Sequence, residues 1–339
     1  MSDMRILFEE GLERRSARER LTAILGEKTV ADLHERSDWR GAFAVASCWC
    51  AIALLLTIIS GSLSLLGWAG LLIAVPALFL LGGRLLGLAI LAHEASHRTL
   101  FRNANLNDLV GDWLCAAPVY LDLEKYRRHH AQHHVHTGTE RDVDLPLIEG
   151  FPTSRSSMLR KFLRDISGQT GIKSLIGFAM MNAEMIKWNV TGVVEWLPSA
   201  KNKAPEKLRL WLINSRRTLL FHGLFAALVS LAGHPELYAI WWAGYLFAYP
   251  FCLRVRAIAE HAVTERTGDM LKNTRTTRAG LISRALFAPF NVNYHIEHHA
   301  LVSVPFWQLP ALHALLQQHR VLPPPPGYLD VLKLASAQK

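Results

Sequence analysis

Three histidine clusters, far apart along the chain, have the spacing of metal ligands. The first runs from His93 to His97 (HEASH), the second from His130 to His134 (HAQHH) and the third from His295 to His299 (HIEHH). Residues i and i+4 lie on one face of a helix, so the outer histidines of each cluster can reach one metal ion. In the last two clusters the adjacent histidine is rotated by about 100°, which predicts a second ion nearby.

The number of these histidines also favours two ions. Eight imidazoles are more than the about six ligands that an octahedral ion accepts. The predicted ligands are His93, His97, His130, His133, His134, His295, His298 and His299. Imidazole binds iron, zinc, copper and nickel, so the ligand type alone leaves the metal open. HEASH also matches the HExxH motif of single-zinc hydrolases, with Glu94 as base, but one zinc would leave six of these histidines unexplained.

Other polar residues near the clusters are candidates for supporting roles. Asp142 and Asp144 follow the second cluster, where they either orient imidazoles or belong to a solvated turn. Glu260 and His261 follow a predicted membrane span; His261 is a candidate ninth ligand or a salt-bridged surface histidine, and Glu260 could support the metal site. Asn293 precedes the third cluster, where it could cap a helix or hold a metal-bound water.

Two apolar segments are long enough to position the clusters at a membrane. Residues 41–83 carry no charge and predict two antiparallel spans with a turn near residues 61–64. Residues 218–253, in which Glu236 is the only formal charge, predict two more with a turn at residues 233–236. Residues 105–121 and 173–197 are more polar and predict helices that lie at the interface.

Charge placement gives the expected orientation. Arg216 and Arg217 precede the second apolar segment, Arg254 and Arg256 follow it, and both predicted turns lack Lys and Arg. By the positive-inside rule the turns lie outside, while the termini and all three histidine clusters are cytoplasmic. Convergence of the clusters on one side is what a shared metal centre requires.

The composition agrees with a membrane protein that has substantial polar parts. Half of the 339 residues are hydrophobic, the mean hydropathy is +0.15 and the formal net charge is +9. The charged N-terminus does not resemble a signal peptide, and the four cysteines form no disulfide or zinc pattern. We expect an all-α integral membrane protein with four transmembrane helices in two hairpins, interfacial helices and a cytoplasmic histidine-rich cap. Its expected parts are an amphipathic segment (1–40), a membrane domain (41–320) and a tail (321–339).

These motifs, with two pairs of spans between them, resemble the membrane fatty acid desaturase and hydroxylase family over about residues 40–320. Asn293-Tyr294-His295 and Glu260-His261 add to the resemblance. It implies two Fe²⁺ ions held by the eight histidines, a ninth histidine at His261, and O₂ as co-substrate. The chain lacks the HPGG signature of a fused cytochrome b5 domain, which implies an external, ferredoxin-like electron donor. The basic cytoplasmic face suits an acidic donor.

The resemblance implies a desaturase that acts on a lipid acyl chain, in a membrane that we expect to be the bacterial inner membrane; no nucleic-acid partner is expected. Loss of a second hydrogen from the substrate would give an alkene, whereas oxygen rebound would give an alcohol. A hydroxylase or ketolase acting on lipids, carotenoids or alkanes therefore stays open. A membrane protein that binds metal without catalysis is the remaining alternative.

Overall fold

The structure, a computed structural model, describes residues 16–337 and is helical throughout, with isolated bridges and no strand in that range. The all-α class predicted from the sequence is confirmed. The α-helices, numbered in chain order, are α1 Ala17–Leu25, α2 Glu27–Leu33, α3 Asp38–Leu66, α4 Leu71–Ser96, α5 Ala104–Val110, α6 Leu123–His136, α7 Leu145–Ile148, α8 Arg155–Ile166, α9 Gln169–Asn182, α10 Ala204–Leu231, α11 Glu236–Ala243, α12 Tyr249–His261, α13 Leu281–Leu286, α14 His295–Ala300, α15 Leu309–Gln318 and α16 Tyr328–Ala335.

Helix α4 is the centre of the molecule and carries the first histidine cluster at its C-terminal end. From Leu81 to Ser96 every residue except Arg84 is buried. Helices α3, α12 and α13 pack around it. Gly82 permits one of these close approaches, because a Cβ there would lie 2.6 Å from the Cβ of Ala248. A buried helix with few polar side chains is a rigid support for the metal ligands at its end.

Two π-helical turns, Gly111–Ala116 and Gly244–Ala248, interrupt the helices that pack against α4. Each is followed two residues later by a proline, Pro118 or Pro250. Proline has no N–H and its ring clashes with the carbonyl group four residues earlier, and a wider turn relieves this conflict. The second π-turn joins α11 to α12, so it helps to set the direction in which His261 leaves the helix.

Several predicted boundaries are wrong. The turn of the first hairpin is a 3₁₀ segment at Gly67–Gly70, because helix α3 continues through the small residues 61–64. The interfacial helix predicted over residues 173–197 ends at Asn182, and an irregular segment with a bridge between Ile186 and Trp196 follows it. The turn predicted at residues 233–236 agrees with the structure, since α10 ends at Leu231 and α11 begins at Glu236.

Membrane crossing is supported by one stretch. Within residues 16–337, only the bent helical stretch Asp38–Ser96 is long and apolar enough to qualify as a span by length and composition. The four-span arrangement and the orientation therefore stay predictions. The short helices α1 and α2 lie within the expected amphipathic segment 1–40, of which residues 1–15 lie outside the described part of the chain. Near the other end, α16 packs against α12 through the buried Val331 and Ala335.

Candidate metal centre

The first and second sequence clusters, HEASH and HAQHH, face each other at the ends of α4 and α6. His93 lies on the last turns of α4 and His97 directly follows that helix, with their ring centroids 4.8 Å apart. Helix α6 begins after Asp122, whose carboxylate accepts a hydrogen bond from the N–H of Lys125. The ring centroids of His93 and His130 are 4.5 Å apart, so the two helices bring the clusters into contact.

The third sequence cluster, HIEHH, lies on the short helix α14. The hydroxyl of Thr276 accepts a hydrogen bond from the N–H of Ile296, which fixes the first turn of that helix. The Nε2 atom of His298 lies 3.1 Å from Nε2 of His134. His295 points the other way, and its Nε2 lies 2.8 Å from Nε2 of His261 at the end of α12.

The nine predicted ligands form two adjoining groups. Cluster 1 consists of His93, His97, His130, His134 and His298, each of which has one ring nitrogen within 4.8 Å of those of the others. Cluster 2 consists of His133, His261, His295 and His299. A ring nitrogen of His261 lies within 4.8 Å of one on each of the other three, and the Nε2 atoms of His295 and His299 are 3.1 Å apart. Cluster 1 and cluster 2 are in contact through His134 and His299, whose ring centroids are 4.2 Å apart. The adjacent histidines of the second and third sequence clusters do serve different groups, as the helical rotation predicts.

These side chains fit metal ions as a donor set. Both ring nitrogens of His93 and Nε2 of His97 are buried without a hydrogen-bond partner among residues 16–337. Buried polar atoms normally have partners, so these nitrogens are suited to coordination. Burial lowers the pKa of His97 to about 3 and moves the pKa of His298 well below its usual value. Both are therefore neutral imidazoles, the protonation state that binds metal.

One carboxylate contacts cluster 2 from outside, and a second contacts His129, which belongs to neither cluster. Asp142 accepts a 2.8 Å hydrogen bond from Nδ1 of His133, and Asp144 lies 2.7 Å from Nε2 of His129. The backbone N–H of Asp144 in turn donates to Asp142. Burial lowers the pKa of His133, but Asp142 and Asp144 outweigh it, and the net direction is upward. Of the two interpretations left open by the sequence, the structure places these carboxylates on histidines.

Two further glutamates support the centre, and their roles could not be predicted from the sequence. Glu94 accepts hydrogen bonds from the hydroxyl of Thr99 and the N–H of Phe306. Glu297 is fully buried, and its Oε1 lies 2.5 Å from Nδ1 of His313. Both glutamates stand inside the histidine motifs, but spacing alone does not show which way a side chain points. The structural use of Glu94 argues against its role as the base of a zinc hydrolase.

Asn293 anchors the loop before the third sequence cluster. Its side-chain amide donates a 2.8 Å hydrogen bond to the carbonyl oxygen of Thr277. The N–H of Thr277 donates to the backbone carbonyl of Asn293. Tyr294, and not Asn293, occupies the N-cap position of α14, and its side chain makes no capping hydrogen bond. The structure therefore gives Asn293 a role in fixing the approach to His295.

An all-helical chain built around an apolar hairpin, with buried histidines that could hold metal at the hairpin's end, has the architecture of a membrane-associated oxidoreductase. The chain belongs to the fatty acid desaturase family, whose sequence model matches residues 66–325. It is accordingly an enzyme of the desaturase type, and the family implies a lipid substrate and a membrane setting.

Curated relatives carry desaturase names at low identity. The dihydrorhizobitoxine desaturase of Bradyrhizobium elkanii is 25% identical over 75% of this chain and 69% of its own length. The sn-1 oleoyl-lipid 12-desaturase of Synechocystis sp. is 23% identical over 70% of this chain and 66% of its own length. An enzyme of the same name from Picosynechococcus sp. is 20% identical over 80% and 77%, respectively. The names agree on desaturation and differ in substrate.

Proposed function

We propose that the chain is an O₂-dependent desaturase that holds two Fe²⁺ ions in clusters 1 and 2 and introduces a double bond into a lipid acyl chain. The observation that carries this proposal is the convergence of nine histidines into two adjoining groups within a chain of the desaturase family. The balanced reaction converts –CH₂–CH₂– and O₂, with two electrons and two protons, into –CH=CH– and two molecules of water.

The protein's part in this reaction is to bind, orient and exclude water. An iron pair supplies, with O₂ and external electrons, the power to remove hydrogen from an unactivated C–H bond, which acid–base side chains lack. Cluster 1 and cluster 2 hold the two ions, and Asp142 fixes the ring of His133. Glu94 accepts a hydrogen bond from the N–H of Phe306. This contact joins the first sequence cluster to the segment after the third, and it holds these distant parts of the chain together around the site.

We propose a ferredoxin-like protein as the electron donor. A cleft lined by Thr137, His261, Thr264 and Asn273 opens beside cluster 2 and brings one predicted ligand close to the surface. Short distances favour electron transfer from a partner docked there. The formal net charge of +9 favours an acidic donor.

We also propose the membrane arrangement expected from the sequence. Helices α3 and α4 form the first hairpin, and the second consists of the C-terminal half of α10 followed by α11 and α12. Clusters 1 and 2 and both termini then lie on the cytoplasmic side, with residues 41–320 as the membrane domain. The proximity of all three histidine motifs to one another supports this arrangement, because it requires them to lie on the same side of the membrane.

Analysis of lipids from a host that expresses the chain tests the proposed reaction. We expect new double bonds in acyl chains with the wild type and none with His134→Ala, which removes a member of cluster 1. His136→Ala is the matched control, because His136 lies two residues away on α6 and belongs to neither cluster. New hydroxyl groups without new double bonds would identify a hydroxylase instead.

Metal analysis separates an enzyme from a passive metal-binding protein. The purified wild-type protein should hold about two irons per chain and consume O₂ when it is reduced in the presence of lipid. Bound metal without O₂ consumption would contradict the proposal. Because one relative is named a dihydrorhizobitoxine desaturase, dihydrorhizobitoxine should be assayed beside phospholipids.

A further inference from the structure

Glu260 lies against cluster 2 in an unusual way for a carboxylate that only supports a histidine. It is 1% exposed and sits one helical turn after Arg256 on α12. Its Oε1 atom accepts a 2.9 Å hydrogen bond from Nε of Arg256. Its Oε2 atom points to the histidines and lies 3.6 Å from Nε2 of His295.

The ring nitrogen that Glu260 approaches is the informative feature. Nε2 of His295 is the atom that faces the cluster, 2.8 Å from Nε2 of His261 and 3.1 Å from Nε2 of His299. A carboxylate that orients a ligand from outside contacts the opposite nitrogen, as Asp142 does at Nδ1 of His133. Glu260 does not contact Nδ1 of His295, and that nitrogen has no hydrogen-bond partner among the described residues.

The distances also suit coordination. Donor atoms bound at about 2.1 Å to one ion lie about 3.0 to 3.4 Å apart when their angles are between 90° and 109°. Of the separations around Nε2 of His295, 3.1 Å lies in that range and 2.8 and 3.6 Å lie about 0.2 Å outside it. A carboxylate oxygen of Glu260 and one ring nitrogen each of His261 and His295 also lie within 4.8 Å of one another.

We propose that Oε2 of Glu260 is a direct ligand of the ion in cluster 2, where a role outside the ligand shell was expected from the sequence. This inference rests on the proposed two-metal function. Arg256 donates a hydrogen bond to the other oxygen, Oε1. The carboxylate therefore binds metal through Oε2 alone, and the guanidinium of Arg256 balances its charge. Cluster 1 is a group of five imidazoles, whereas cluster 2 combines four imidazoles with an anionic oxygen. The two ions are therefore chemically different, and the harder oxygen donor marks the ion of cluster 2.

Mössbauer spectroscopy of the ⁵⁷Fe-loaded, full-length protein tests the inequivalence directly. The wild type should show two quadrupole doublets of equal area with different isomer shifts. Glu260→Gln retains the size of the side chain and an oxygen for Arg256, and it should alter or remove one doublet while the other stays unchanged. A single doublet in the wild type, or two doublets that Glu260→Gln leaves unaltered, would overturn the proposal.

A second variant separates a ligand from a supporting residue, since loss of either can weaken metal binding by about 10- to 100-fold. Glu260→His offers a nitrogen at the same place, so this variant should bind two irons per chain. The isomer shift of its altered doublet should move toward that of the doublet assigned to cluster 1. Two irons regained without that shift, or no recovery of iron, would contradict a ligand role.

Glu297→Gln is the matched control for this series. Glu297 is equally buried and lies between two ligands, but it contacts His313 and Thr276. Both doublets should keep their wild-type isomer shifts in this variant, and a change of the same kind as in Glu260→Gln would overturn the proposal. Two irons in a wild type with identical sites would refute the role of Glu260 and leave the proposed function intact.

Discussion

At the scale of single residues, the histidines could be predicted, Asp142 and Asp144 were candidates, and the contacts of Glu94 and Glu297 could not be predicted. The i, i+4 spacing identifies the outer histidines, and the helical rotation separates His133 from His134. The direction of a carboxylate depends on tertiary contacts that spacing does not contain. Glu94 and Glu297 both lie inside motifs, yet each binds a segment that is distant in sequence or in a different helix.

One residue-scale prediction concerns Asp142. Asp142→Asn should weaken metal binding in cluster 2 by about 10- to 100-fold, because the amide holds His133 less firmly and adds no charge. Titration of the metal-free protein with Co²⁺, followed by absorption, measures the affinity of each site. Glu140→Gln is the control, since Glu140 is exposed and pairs with Arg266. Equal affinities in Asp142→Asn and the wild type would contradict the orienting role.

At the scale of elements, hydrophobicity predicted the existence of the long helices better than their ends. Residues 61–64 are small and polar enough to predict a turn, but α3 continues to Leu66 and the chain turns at Gly67, where φ is +53°. The π-turns were not predicted at all. Their signal is the proline that follows each of them, and a proline within an apolar segment is compatible with a simple kink as well.

Close packing at Gly82 leads to an element-scale prediction. Gly82→Ala should lower the free energy of unfolding by about 1–3 kcal/mol, because the new Cβ would lie 2.6 Å from the Cβ of Ala248 and force the helices apart. Gly223→Ala is the matched control, since a Cβ there meets nothing within 4 Å. Thermal unfolding in detergent measures both variants. The same melting temperature for Gly82→Ala and the wild type would contradict this packing.

At the scale of the whole molecule, convergence of the histidines was expected, whereas the membrane topology stays a prediction. Arg254 and Arg256 contributed to the predicted orientation as cytoplasmic charges. In the structure they form ion pairs with Asp165 and Glu260, respectively, so they have structural roles as well. Orientation therefore needs a direct measurement.

Cysteine labelling provides that measurement. In a Cys50→Ser background, Ala69→Cys and Ala232→Cys place thiols in the two predicted outer turns, and Ala337→Cys places one near the C-terminus. A membrane-impermeant maleimide added to intact spheroplasts should label the first two. It should label Ala337→Cys only after permeabilisation. Labelling of all three from the same side would exclude the proposed four-span arrangement.

The π-turn at Gly244–Ala248 has a consequence for how this centre tolerates insertions and deletions. A π-turn is what one inserted residue leaves in an otherwise regular α-helix. Deletion of Leu246 would restore a regular α-helical turn and leave His261 near its present azimuth, whereas deletion of one residue between Tyr249 and His261 would change the azimuth of His261 by about 100° and its axial position by about 1.5 Å. The ninth imidazole would then face a neighbouring helix or lipid. Length variation among relatives should therefore be tolerated in the outer turns and be rare between this wide turn and His261.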